Sequence, residues 1–187
     1  MLKKIESEIE TIISRSEVPE DPIHSKNTRE WVLKLKPEAD MALQIAALGH
    51  DIERSIRERK IRREDYSNYD QFKKAHSQNS AKVLNEILSK YDINKTIISK
   101  VTDLVMCHEF GGNPEANILK DADSISYFDV NLPFYFSRNS QNETAFRIIW
   151  GYKRLSECAK SIVRNFSYDN SKLEALFQKA VLELSNV

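Results

Sequence analysis

The stretch Ile45-Ala46-Ala47-Leu48-Gly49-His50-Asp51 decides the fold class of this chain. It continues an apolar run that begins at Met41, and a helix this apolar is typical of the centre of a helical domain. His50 and Asp51 then stand at the end of a buried helix rather than on a solvated face. Adjacent helical positions differ by about 100° around the axis, so both side chains reach one ion only in a cleft that other helices close.

Amphipathic segments on both sides of this stretch supply those helices. The sequence predicts helices over about 2–17, 25–36, 37–49, 72–88, 94–110, 118–127, 141–165 and 170–185. Asp92 or Asn94 can cap the fifth of them, Gly111-Gly112-Asn113-Pro114 is the clearest break, and Pro133 lies in an aromatic connector. Because no strand pattern is visible, we expect a compact all-α, multi-helix domain with its site in a central cleft.

Length and composition limit the class of protein further. The 187 residues fit one domain, 1–187, and the 41% of hydrophobic residues suffice for one core. The 28 basic and 28 acidic residues cancel, which disfavours a nucleic-acid or membrane partner. The N-terminal sequence lacks a signal-peptide pattern, and two cysteines fit a reducing compartment, so we expect a cytoplasmic protein. Four glycines cannot build a glycine-rich nucleotide-binding loop.

The residues with metal-ligand chemistry fall on or beside different predicted helices. All four histidines of the chain belong to this set, which consists of His24, His50-Asp51, His76, His108 and the pair Asp121/Asp123. Taken singly, each histidine is more often structural than a ligand. Taken together, imidazoles and carboxylates in one cleft suit divalent ions such as Mn²⁺, Fe²⁺ or Zn²⁺.

The order of these residues resembles the HD-domain superfamily of metal-dependent phosphohydrolases. The resemblance covers residues 20–130 and lies in the segments D-P-I-H24-S, I-A-A-L-G-H50-D51-I-E-R and L-K-D-A-D123-S-I. Members with a second metal add two histidines between the His-Asp pair and the last Asp, and K-A-H76-S and C-H108-E match those positions. Residues 49–128 also resemble an uncharacterised HD-related branch.

The resemblance implies a ligand set for one or two divalent ions per chain, from Mn, Fe, Zn, Ni, Co or Mg. His24, His50, Asp51 and Asp123 would hold the first ion, and His76 and His108 would add the second. Asp123 matches the family's ligand position, which leaves Asp121 as an alternative or supporting residue. If two ions are present, Asp51 would bridge them.

The function implied is a phosphohydrolase that acts on a small phosphorylated, nucleotide-like metabolite, with an unknown oligomeric state. The ion would activate water and polarise a phosphoryl oxygen, and Glu53 or Asp121 would orient that water. The sequence alone leaves open a catalytically silent HD module that binds a metal, ligand or partner.

Three basic residues are candidate substrate contacts. Arg54 is the first, because on a continuing helix it would share the face of His50 and Asp51 and could grip phosphate. The other two candidates are Lys73 of the Lys73-Lys74 pair and Lys153 of the Lys153-Arg154 pair. Each of them fits an ordinary surface position equally well. For the rest of the basic run, 54–63, we expect solvated ion pairs such as Glu53–Arg57 and Arg54–Glu58.

Overall fold

The computed structural model describes residues 2–185, and all regular elements within that range are helical. The all-α class is therefore confirmed. The α-helices are α1 Leu2–Ile13, α2 Asp21–Leu35, α3 Met41–Gly49, α4 Tyr69–Leu88, α5 Lys95–Cys107, α6 Pro114–Ser126, α7 Leu132–Arg138, α8 Gln141–Lys153, α9 Glu157–Val163 and α10 Ser171–Ser185. None of the described helices is long and apolar enough to cross a membrane.

Two hydrophobic cores form the interior, and the first consists of buried side chains from α1 to α6. Helix α3 is the centre of this first core, as its composition predicts. Its residues from Ala42 to Gly49 are buried apart from Gln44, and it packs against α2 and α5. The helix begins at Met41 rather than at Pro37, because the Asp40 carboxylate accepts a hydrogen bond of 3.0 Å from the Leu43 amide and caps the N-terminus. At the other end, His50 is the C-cap residue, so the His-Asp pair follows the buried helix directly.

Gly49 lets α4 approach α3 at the level of the His-Asp pair. A Cβ atom at position 49 would lie 2.7 Å from Cδ2 of Leu84, a fully buried side chain of α4. Contacts that short do not occur in packed interiors. The absence of a side chain at Gly49 therefore brings α4, which carries His76, close to the end of α3.

A second core lies among the C-terminal helices. Phe128, Tyr152 and Phe177 are its largest buried side chains, and α8 packs against α10. Trp31 and Leu35 of α2 contact both cores and connect them. Helix α8 also contacts α4, where the ring centroids of Trp150 and Tyr69 lie 5.6 Å apart, and its Arg147 and Trp150 line the same cavity as Asp51.

Two predictions for the C-terminal half are wrong. The Pro133 region is not a connector, because a π-helical turn, Tyr127–Asn131, continues directly into α7. Pro133 stands in the first turn of α7, where a residue without an N–H is tolerated. The helix predicted over 141–165 is two helices, since α8 ends at Lys153 and the Ser156 hydroxyl caps α9 by accepting from the Ala159 amide at 3.2 Å.

The chain beyond Asp51 does not continue α3. A short 3₁₀ turn, Ile52–Ser55, is followed by irregular backbone. The predicted ion pairs Glu53–Arg57 and Arg54–Glu58 do not form, because their four-residue spacing brings side chains together only on an α-helix. Of the run, Arg59 does pair, with Glu86 of α4 at 2.8 Å.

Candidate metal centre

Six of the predicted ligand residues come together at one point of the first core. Helices α2, α4 and α6 supply His24, His76 and Asp123 from within their lengths, whereas His50 and His108 are the C-cap residues of α3 and α5. Asp51 follows His50 in the chain. Five helices thus each direct one imidazole or carboxylate into the same cleft.

The six residues form two adjoining groups. In the first group, Oδ1 of Asp123 lies 3.2 Å from Nε2 of His24 and 3.4 Å from Nε2 of His50. One ligand atom from each of these three residues lies within 4.8 Å of the others, a spacing that one ion could span.

The second group is built around Asp51. Its Oδ1 atom lies 2.7 Å from Nε2 of His76 and 3.7 Å from Nε2 of His108. The same oxygen lies 3.7 Å from Nε2 of His50, a member of the first group. Asp51 is therefore placed between the two groups, where a bridging carboxylate would have to lie.

Each histidine is held by its Nδ1 atom, which leaves Nε2 for the cleft. Nδ1 contacts the Ala47 carbonyl oxygen at 2.9 Å in His50 and the Val105 carbonyl oxygen at 2.7 Å in His108. A carbonyl only accepts, so the proton of both neutral rings resides on Nδ1. The lone pair of Nε2 consequently points at the carboxylates, as metal ligation requires.

The other two histidines are held by side chains. In His24, Nδ1 lies 2.8 Å from the Ser126 hydroxyl, which itself donates to the His24 carbonyl oxygen at 3.2 Å and so accepts from the ring. In His76, Nδ1 donates to Oε1 of Glu53 at 2.6 Å. A carboxylate behind a ligating histidine fixes the ring and increases its basicity.

Positive charge is favoured between these groups. Burial alone would lower the pKa of His50 and His76, but Asp51 leads the carboxylates that raise these pKa values to about 9 and about 10. Burial would raise the pKa of Asp51 and Asp123, yet the neighbouring cations and imidazoles hold both well below the ordinary range. The carboxylates therefore attract a cation to the ring nitrogens, whether a proton or a metal ion.

The donor set fits a divalent metal. Nε2 of His50 is buried without a hydrogen-bond partner among the described residues, which costs free energy unless an ion or another group fills the gap. Four imidazole nitrogens with carboxylate oxygens are ligands for Mn²⁺, Fe²⁺, Ni²⁺ or Zn²⁺, whereas Mg²⁺ prefers oxygen alone.

Glu53 and Arg54 contact residues of the site, but their partners differ from those that the sequence predicted. Both carboxylate oxygens of Glu53 are engaged, since Oε2 accepts from the Ile61 amide at 2.7 Å and Oε1 holds His76. Arg54 lies against Asp51 through the 3₁₀ turn rather than along a helical face. Its guanidinium donates to Oδ2 of Asp51 at 2.7 Å and lies 3.1 Å from Oδ1 of Asp21.

The remaining predicted site residues are spread more widely. Asp121 is outside the cluster and accepts a hydrogen bond of 3.0 Å from the Ser156 amide. Lys73 is buried, with its Nζ atom 2.9 Å from Oε2 of Glu109 and 4.4 Å from the ring centroid of Trp150. Lys153 is exposed and does not line the cavity over the cluster, because α8 turns the opposite face inwards.

That cavity has a volume of about 600 Å³ and opens directly on the cluster. His24, Asp51, His76 and Asp123 lie in its wall. Its cationic lining consists of Arg54, Arg57, Lys60, Arg62, Arg63, Arg147 and Arg154. A cavity of this size accommodates a small metabolite.

Four residues of this wall that make contacts near the site were not selected as site residues: Glu109, Arg154, Arg147 and Tyr69. The Glu109 carboxylate joins Lys73 to Arg154, whose Nη2 atom is 3.0 Å from Glu109 and 3.5 Å from Asp123. Arg147 and Tyr69 lie farther along the wall, with a hydrogen bond of 3.0 Å from the guanidinium to the Tyr69 hydroxyl. Tyr69 and Arg147 are 78 positions apart, so no spacing in the sequence indicates their contact.

Comparison with known proteins gives a family without a function. No curated protein and no solved structure matches the chain. A family model described as "Domain of unknown function (DUF4202)" matches residues 6–176. That range includes all six residues of the candidate metal centre and all of α8. The chain therefore belongs to the DUF4202 family.

Proposed function

We propose that this protein is a divalent-metal-dependent phosphohydrolase of HD type, acting on a small phosphorylated metabolite. The observation that carries the proposal is the convergence of four Nε2 atoms and two aspartates at a cavity rich in basic residues. His24, His50 and Asp123 would hold one ion, and Asp51, His76 and His108 a second. A bound divalent ion supplies activation of water and polarisation of a phosphoryl oxygen.

The cation-rich wall favours an anionic substrate. Arg57, Lys60, Arg62 and Arg63 are exposed along one segment of the cavity wall, and no carboxylate of the described residues lies within 4.0 Å of their charged groups. Glu17 and Glu64 are the exposed carboxylates of the same lining, so these four cations leave an excess of positive charge there, although the chain as a whole is neutral. Like charges in a cleft raise the local concentration of a ligand of opposite charge.

The residues nearest the cluster have positioning roles in this proposal. Arg54 is neutralised by Asp51 and Asp21, so it orients the Asp51 carboxylate rather than offering a free charge to phosphate. Glu53 orients His76 through a bond of 2.6 Å. Arg154 also lies against two carboxylates, Glu109 and Asp123, through its Nη2 atom, but its Nε atom has no hydrogen-bond partner among the described residues. Because Asp123 would be a ligand of the ion, Arg154 is the cation that we assign to a phosphoryl oxygen beside it.

A silent metal-binding module is the competing function. Metal sites that serve stability alone are closed by protein ligands, whereas sites that act on a substrate keep access for it. Here two ligand residues of each group line an open cavity, namely His24 and Asp123 of the first group and Asp51 and His76 of the second. The access favours turnover over a purely structural role.

The test is a screen of phosphorylated metabolites for phosphate release with Mn²⁺, Fe²⁺, Co²⁺, Ni²⁺, Zn²⁺ and Mg²⁺ in turn. We expect one class of substrate to be hydrolysed in a metal-dependent manner. Asp51→Asn should abolish that turnover because it removes a ligand charge, whereas Asp92→Asn, a matched change at an exposed aspartate outside the cavity, should leave it intact. Metal bound at wild-type stoichiometry without any turnover would favour the silent module.

A further inference from the structure

Arg147 is a cation without a counterion in the wall of the cavity. It is partly buried on α8, and no carboxylate of the described residues lies within 4.0 Å of its nitrogens. Burial lowers its pKa, and the neighbouring Tyr69 and Tyr127 raise it. A guanidinium away from water is stabilised by an opposite charge, and here residues 2–185 supply none.

Aromatic rings fix this guanidinium in place. Its Cζ atom lies 4.7 Å from the ring centroid of Trp150, 5.6 Å from that of Tyr127 and 5.8 Å from that of Tyr69. All three rings also line the cavity. Because the donor and its surroundings are ordered in advance, a ligand would lose little free energy in organising them.

Two unpartnered polar atoms accompany Arg147 in the same wall. The Tyr127 hydroxyl and Oδ1 of Asn131 are buried without a hydrogen-bond partner among the described residues. The Asn131 side chain is only 8% exposed. Buried polar groups of this kind are normally satisfied, so a ligand that fills the cavity would supply their partners.

We propose that Arg147, Tyr69 and Tyr127 bind a second oxyanion of the substrate, a phosphate or a carboxylate, remote from the group that reacts. The donors in this subsite are a guanidinium and two phenol hydroxyls, which suit an oxyanion, and Oδ1 of Asn131 can accept from a neighbouring hydroxyl of the ligand. The inference rests on the proposed function and names its substrate class, a metabolite with two anionic groups.

The distances of Arg147 and Arg154 from the Trp150 ring limit how far apart these two guanidinium groups can lie. The guanidinium carbons of Arg147 and Arg154 lie 4.7 Å and 5.3 Å from its ring centroid, so at most about 10 Å separates them. Arg154 contacts Asp123 of the metal centre. A ligand with its reacting phosphate at Arg154 would therefore place its second anion within a few bonds, as in a sugar bisphosphate or a phosphorylated acid.

The first experiment uses inorganic phosphate as the probe and Trp150 as the reporter. Trp31→Phe leaves Trp150 as the single tryptophan. In chelator-treated protein we expect phosphate to change its emission saturably, and Arg147→Met to weaken that binding about tenfold or more, the loss of a charge-assisted hydrogen bond. Lys172→Met, at an exposed lysine outside the cavity, should bind as tightly as the Trp31→Phe parent.

Arg147→Lys controls for folding, since it keeps the charge and should recover part of the affinity, and thermal melts verify that each variant is folded. No saturable response in the parent, or equal affinity in folded Arg147→Met, would contradict the subsite.

The second experiment tests whether one ligand reaches both places. With metal restored, we expect fructose bisphosphate to bind more tightly than fructose monophosphate, and Arg147→Met to remove that preference. Phosphoglycerate carries a carboxylate as its second anion, so comparing its affinity with that of fructose bisphosphate shows whether the subsite prefers a carboxylate or a phosphate. If nothing is hydrolysed but Arg147→Met still loses phosphate binding, only the proposed function fails. If hydrolysis proceeds and Arg147→Met changes neither affinity nor preference, only this inference fails.

Discussion

Asp121 and Asp123 lie two positions apart on α6 and face opposite sides of that helix, since two residues correspond to about 200° of rotation. Asp123 points into the metal centre, where its Oδ1 atom contacts His24 and His50. Asp121 points at α9 and accepts from the Ser156 amide. The two carboxylates are a matched pair for assigning the ligand.

We expect Asp123→Ala to lose the ion that it would hold with His24 and His50, and Asp121→Ala to keep it. Both variants should melt at lower temperature, the first because one bound ion no longer stabilises the folded state, the second because the Ser156 amide loses its acceptor, at a cost of about 1 kcal/mol. Elemental analysis after dialysis separates them where melting alone cannot. A metal content equal to that of wild type in Asp123→Ala, or a reduced content in Asp121→Ala, would reverse the assignment.

At this scale the sequence predicted which side chains gather, because a ligand on a buried helix has few directions in which to point. It could not predict how Arg54 or Glu53 would be used. Their partners, Asp21 and His76, belong to other helices, and the backbone between them turns in a way that helical spacing does not describe. Both were selected as site residues for contacts with phosphate or water, whereas the contacts that the structure describes are with Asp51, Asp21 and His76.

Among the elements, α3 determines where the His-Asp pair stands, and its N-terminus is fixed by Asp40. We expect Asp40→Ala to lower the free energy of unfolding by about 1 kcal/mol through loss of the cap. Asp40→Asn should keep the cap and lose only the exposed ion pair with Lys100, which contributes little. Urea denaturation of both measures the difference, with Asp92→Ala as an exposed control. Equal losses in Asp40→Ala and Asp40→Asn would show that the ion pair, not the cap, matters.

Helix positions followed from the sequence better than helix ends. The Asn94 cap of α5 and the break at Gly111 and Gly112, both at positive φ, are confirmed. The continuation through Pro133 was missed because the π-helical turn before it has no hydrophobic period of its own. The position of α8 over the cavity depends on the packing of the second core, so Arg147 could not be identified as a cavity residue from the sequence.

In the whole molecule, the candidate metal centre connects helices that are distant in the chain. His24 and Asp123 are brought together from α2 and α6, and His76 and His108 from α4 and α5. Metal bound there would stabilise the folded chain, because the unfolded chain cannot present the ligands together. Ion binding would therefore be coupled to the packing of the first core. Loss of an ion should then be detectable as a lower melting temperature as well as by elemental analysis.

The two groups of ligands predict two ions per chain, and the double variant His76→Ala/His108→Ala tests this directly. It removes both imidazoles of the Asp51 group and leaves His24, His50 and Asp123 in contact. We expect metal-replete wild type to hold two ions and the double variant one. Phosphate release should fall steeply, since two-ion sites stabilise both the attacking and the leaving oxygen. The reciprocal variant His24→Ala/Asp123→Ala should keep one ion, in the Asp51 group. A single ion in wild type that the first variant retains unchanged would mean that His76 and His108 are not ligands, and their Nε2 atoms would then be free to contact substrate or water.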